Sequence, residues 1–178
     1  LSPNQVRNKC REKLNSENKE DDSEFFVGNQ DKKLKELCYA SFFTEAFNKS
    51  YDTDYLIGSS ENPDVHLINS TKKEGFPLEI TVLHKRNPSK TPNDLIQSLY
   101  DKKGKNDYGK CSLLVILEFS FKDFNISELS REVNNDRYHW SYENIWLGAL
   151  SVGDKKFSFF KVYPTNSSLS PSTISCPF

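Results

Sequence analysis

Apolar and polar positions along this chain follow two periods, and the points where one gives way to the other mark its elements. From Asp31 to Lys49, residues Leu34, Leu37, Cys38, Ser41 and Phe42 recur at helical spacing, which predicts a helix. Tyr39, Phe43 and Phe47 make its other side aromatic, so it is expected to pack between a sheet and a further element. Short strands are predicted at Thr53 to Ile57, Asp64 to Ile68 and Leu78 to His84, separated by the turn signals Ser-Ser-Glu-Asn-Pro and Lys-Lys-Glu-Gly. Three strands in succession suggest an antiparallel meander. A second helix is expected from Asn93 to Lys103, started after Pro92 and stopped at Gly104. Ser112 to Phe119 is a nearly unbroken apolar run, the pattern of a strand buried on both faces at the centre of a sheet. A short helix at Ser127 to Asn134 and strands at Ile145 to Val152 and Phe157 to Tyr163 complete the series. The order predicts an α/β sandwich with a mixed sheet.

Residues 1–28 are polar and charged, most densely from Glu17 to Glu24, and read as an extension that gives little to the core. Residues 164–178 are rich in Ser, Thr and Pro and read as a loosely ordered tail. The 178 residues suit one domain, and a net charge of −1 provides no global field to attract nucleic acid, so any such contact needs a local patch. The chain has no Met, so an initiator has been removed or the segment begins inside a longer product. No apolar run reaches the roughly 18 residues of a membrane span, and the amino terminus has no signal-peptide core. A protein that is cytoplasmic or otherwise intracellular, without a membrane partner, is expected. Cys10, Cys38, Cys111 and Cys176 are too scattered for a zinc site and read as free thiols. The rival reading is a secreted interaction domain stapled by these cysteines, with sequons at Asn48, Asn69, Asn125 and Asn166.

Candidate chemistry concentrates in Pro63-Asp64 and Glu79-Ile80-Thr81. Alternate strand residues share a face, so Glu79, Thr81 and Lys85 point one way while Leu78, Ile80, Val82 and His84 point the other. If Asp64 ends its strand beside Glu79, the two carboxylates converge as donors for a hard divalent cation. His84, Lys85, Arg86, Lys90, Lys102, Lys103, Lys105 and Lys110 form a basic set around the second helix.

Pro63-Asp64 and Glu79-x-Thr81, within an order of helix, three strands, helix and strand, resemble the PD-(D/E)XK nuclease superfamily over Asp31 to Phe119. The resemblance implies a restriction-endonuclease-like αβββαβ core in a three-layer-like sandwich, with a nuclease-like domain at 29–163. It implies Mg²⁺ or Mn²⁺ held by Asp64, Glu79 and the Ile80 carbonyl, with hydrolysis of DNA or RNA. Thr81 departs from the family pattern, which has Lys there. The resemblance extends to members with a migrated lysine, which makes Lys102 or Lys103 the candidate on the following helix. A first-helix glutamate, Glu36 or Glu45, would assist. Lys85, Arg86, Lys90, Gln97, Tyr100 and Lys105 are the candidate nucleic-acid contacts, and a homodimer is compatible with this family. The alternative within the same fold is a catalytically inactive module that binds nucleic acid or a protein.

Overall fold

Strand β4, Ser112–Leu117, has all six of its residues buried and is the fourth of seven strands, so the apolar run does occupy the centre of the sheet. The computed structural model describes residues 1–16, 32–60, 63–83, 91–105, 109–117, 125–151, 156–165 and 173–177. Strands β1 (Leu56–Ser59), β2 (Val65–Asn69) and β3 (Glu74–Leu83) form the antiparallel meander. β3 runs parallel to β4, and β4 runs parallel to β5 (Asn144–Ser151). β6 (Lys156–Tyr163) and β7 (Thr173–Pro177) return antiparallel. The sheet is therefore mixed and the fold α/β.

Helices cover both faces. Helices α1 (Pro3–Ser16) and α2 (Lys32–Tyr51) pack on Val65, Leu67, Leu78, Ile80, Leu114 and Ile116. Phe42 stacks on Phe157 at 5.1 Å between ring centres, and Phe43 packs edge-on against Trp146 and Phe159. On the opposite face, helix α3 (Pro92–Leu99) buries Leu95, Ile96 and Leu99, and helix α4 (Ile126–Val133) buries Leu129 and Val133. Their partners are Leu113, Val115 and Leu117 of β4 and Ile145, Leu147 and Ala149 of β5. The two parallel connections need crossovers, which α3 and α4 supply. Helix α3 starts in a capping box: the Thr91 hydroxyl accepts from Asp94 N, and the Asp94 carboxylate accepts from Thr91 N. Its end widens into a π turn over Tyr100–Gly104.

Three expectations give way here. Residues 1–28 were to give little core, yet Val6 and Cys10, one helical turn apart on α1, are 2% and 3% exposed against α2. The strand predicted at Thr53 to Ile57 begins instead at Leu56, because Asn48 engages the preceding backbone. Its Nδ2 donates to Tyr55 O at 3.0 Å, and its Oδ1 accepts from Tyr55 N at 2.8 Å, so Thr53 to Tyr55 close the end of α2 rather than enter the sheet. Within the 164–178 stretch, Thr173–Pro177 forms β7 on β6. Pro177 is tolerated because β7 is an edge strand.

Candidate functional site

The site forms just ahead of the start of β2, where β3 continues past it. The antiparallel register ends at the pair Val65 and Leu78, so one step further along it Asp64 comes level with Glu79. Asp64 Oδ2 accepts a buried hydrogen bond of 2.8 Å from Ile80 N. In an extended residue the N–H and C=O face the same neighbouring strand, so the Ile80 carbonyl opens on the side where the Asp64 carboxylate lies. Asp64 is 8% exposed and Glu79 5%, and both carboxylates act electrostatically on the Lys32 ammonium and the Cys111 thiol. Among the described residues no group of three or more His, Cys, Asp or Glu side chains is arranged to hold a metal ion. Two carboxylates and a carbonyl are nonetheless a fitting donor set for Mg²⁺, which is commonly held through one or two carboxylates and fills its shell with water and phosphate.

Lys103 reaches this point from the π turn: its ammonium pairs with Glu79 Oε1, with both side chains mostly buried. Lys102 beside it is exposed. Helical spacing kept both open, since Lys103 follows Leu99 by four residues and Ile96 by seven while Lys102 follows Leu99 by three and Leu95 by seven; the π turn decides between them. Gly104 ends the turn under the Tyr100 ring, where an added Cβ would lie 2.2 Å from Tyr100 Cδ2. Tyr100 in turn packs against Tyr138 and Trp140 at 5.0 and 5.1 Å.

Of the two glutamates on α2, the structure brings Glu36 to the site and leaves Glu45 elsewhere. They lie nine residues apart, which at about 100° per residue is half a turn out of phase. Glu45 pairs with Arg7 of α1 at 2.5 Å and with Lys49 at 2.7 Å. Glu36 is 5% exposed and pairs with Lys32 at 3.2 Å and Lys33 at 3.8 Å. Burial pushes its carboxyl above the usual value and the Asp64 charge adds to this, while the two lysines work in the opposite direction.

Lys32 and Lys33 were missed in the sequence. Lys33 Nζ donates to Asp64 O at 2.5 Å and lies 3.8 Å from both Asp64 Oδ1 and Glu36 Oε2. Their signal was positional: each lies about one turn before Glu36 and shares its helix edge. With Ser59, Ser60, Glu36 and Asp64 they line an open cleft of about 720 Å³.

The proposed nucleic-acid contacts are distributed unevenly. Lys85, Arg86 and Lys90 lie outside the described residues, as does His84. Lys105 is exposed just after the π turn. Gln97 donates to Asp101 at 3.0 Å and accepts from the Tyr138 hydroxyl at 3.4 Å. Tyr100 is half-buried among aromatic rings, so its face is already occupied by protein. Cys10, Cys38 and Cys111 are buried free thiols. No helix among the described residues is long and apolar enough to cross a membrane. No protein-family model, curated protein or solved structure matches the chain.

Proposed function

We propose that the chain is a divalent-metal-dependent nuclease of the PD-(D/E)XK type, with Asp64 and Glu79 as metal ligands, the Ile80 carbonyl as a third donor and Lys103 in the role of the migrated lysine. The observation that carries this reading is the meeting of Lys103 with Glu79 beside the carboxylate of Asp64. Lysine pairs with acids on many surfaces; here the pair is mostly buried, and its acid lies one register step from a second buried acid. Buried charges are costly unless they are paired or hold a metal.

Mg²⁺ or Mn²⁺, when bound, would polarise the phosphoryl oxygen and lower the pKa of an attacking water. The residues of the chain supply the rest. Asp64 is oriented by the Ile80 N–H, and its other oxygen, which lies 3.8 Å from Lys33 Nζ, would face the cation. The Lys103 ammonium, held beside Glu79, would offset the charge that builds on the phosphate in the transition state, which a threonine at position 81 cannot do. Glu36, held by Lys32 and Lys33, would orient water on the α2 side.

The secreted, disulfide-stapled reading is less well supported. Asn69 is 2% exposed, and Asn48 holds the Tyr55 backbone, so two of the sequons are engaged internally. The nuclease reading is tested by calorimetric titration of Mn²⁺ into wild-type protein, Asp64→Ala and Glu79→Ala, followed by incubation with single- and double-stranded DNA and RNA. Binding and cleavage by wild type, both lost in each variant, support it. Wild-type protein that neither binds Mn²⁺ nor cleaves overturns it and leaves the inactive-module alternative.

A further inference from the structure

The cleft beside the carboxylates holds two lysines and two serines with no part in metal binding, and its dimensions suit one nucleotide unit of a strand. Lys32 and Lys33 present their ammonium groups from the first residues of α2, and Ser59 and Ser60 bring hydroxyls from the end of β1 and the residue after it. Without a cation the lysines neutralise Glu36 and Asp64: Lys32 at 3.2 Å from Glu36, Lys33 at 3.8 Å from each. Their side chains are 79% and 39% exposed, so both can swing towards a ligand in the cleft. A divalent cation on Asp64 would take over the neutralisation of that carboxylate, and Lys33, keeping Glu36 and the Asp64 main-chain oxygen as partners, would have an N–H left to turn to a ligand.

We infer that Lys32, Lys33, Ser59 and Ser60 form a phosphate subsite that grips the nucleic-acid backbone next to the scissile linkage. This rests on the nuclease reading for its ligand class. Lysine donates to phosphate as a point charge with rotatable N–H groups, and serine hydroxyls complete such a site without sequence preference. The subsite thus binds backbone, and its contribution is equal for all base sequences.

The test is equilibrium binding of a fluorescent single-stranded oligonucleotide with phosphorothioate linkages, in Ca²⁺, at several salt concentrations. Wild type, Lys32→Ala, Lys33→Ala, Lys33→Arg and, as a control at the far end of the β2–β3 hairpin, Lys72→Ala are compared. Each alanine variant in the cleft should bind about 3- to 10-fold more weakly and lose about 0.7 from the slope of log K against log salt, the value for one phosphate contact. Lys33→Arg should keep the wild-type slope, which separates lost charge from a damaged fold, and Lys72→Ala should match wild type. Wild-type affinity and slope in both cleft alanine variants would overturn the subsite while leaving Mn²⁺ binding and cleavage untouched. An absence of any oligonucleotide binding by wild type would overturn it as well. The predicted slopes in a protein that neither binds Mn²⁺ nor cleaves would support the subsite and overturn the nuclease reading alone.

Discussion

Replacing Lys103 with Met keeps the length of the side chain and removes its charge, leaving Glu79 as an anion in a site where its side chain is 6% exposed. Removing one partner of a fully buried ion pair costs about 3–5 kcal/mol, because the other charge is left without compensation. Lys103 is 16% exposed, so some water reaches the site, and about 2–3 kcal/mol is expected. At about 2–4 °C per kcal/mol for a chain of this size, the melting temperature should fall by about 5–10 °C. Glu79→Gln should cost only about 1 kcal/mol, since the freed ammonium can turn towards water. The double variant Lys103→Met with Glu79→Gln should be little worse than Glu79→Gln alone. The assay is urea unfolding of the four proteins in EDTA, so that no divalent cation substitutes for the lysine. The double-mutant cycle should give a coupling of about 2 kcal/mol. Additivity within about 0.5 kcal/mol would refute the claim that the two side chains depend on each other.

Phe43 is fully buried against Phe47, Trp146 and Phe159, so Phe43→Ala should lose about 3–5 kcal/mol in denaturant unfolding. Burial and Asp64 raise the Glu36 carboxyl above its ordinary 4.5, so its stabilising contribution is complete below that pH and is lost as pH rises through the folded-state value. Glu36→Gln should therefore gain stability relative to wild type between about pH 4 and 8 in EDTA, and a difference that is flat with pH would contradict the assignment. Burial pushes the Cys111 thiol up to about 11, so its alkylation in native protein, followed by peptide mapping, should be slow at pH 8 and accelerate steeply at higher pH. Gly104→Ala must displace the Tyr100 ring, and cleavage should drop by more than the variant's loss of stability explains if that ring sets the aim of Lys103.

The parts of the fold that the sequence made legible are those where one physical signal dominates. Leu113 to Leu117 is apolar throughout because the strand is covered on both faces, and no turn residue interrupts it. Helix α2 was found from its stripe, and its boundaries differ by a residue or two from the expected ones. Helix α1 was not seen as core, since Val6 and Cys10 are two apolar positions in a polar segment and their burial depends on α2 being there to receive them. The displaced start of β1 depended on one side chain, Asn48, competing with the ladder for the Tyr55 backbone. At the candidate site, periodicity offered no answer for Lys103 over Lys102, both at stripe spacing from Leu95, Ile96 and Leu99, and none for Glu36 over Glu45. Both glutamates have apolar neighbours, and only the placement of α1 against α2 pairs Glu45 with Arg7. Lys32 and Lys33 carried no signal of their own in the sequence, and it is the placement of Asp64 beside Lys33 that brings them to the site.

The late start of β2 makes the site a matter of strand length before it is a matter of side chains. If β2 began two residues sooner, position 63 would come opposite Ile80 in the ladder, its main-chain carbonyl would take the Ile80 N–H, and the notch at the edge of β3 would close. Any carboxylate introduced there afterwards would find no exposed main-chain edge to share a cation with. A hairpin that is short by two residues is thus the vacancy on which the chemistry is built, and shortening or lengthening it would erase the site with Asp64, Glu79 and Lys103 all still present.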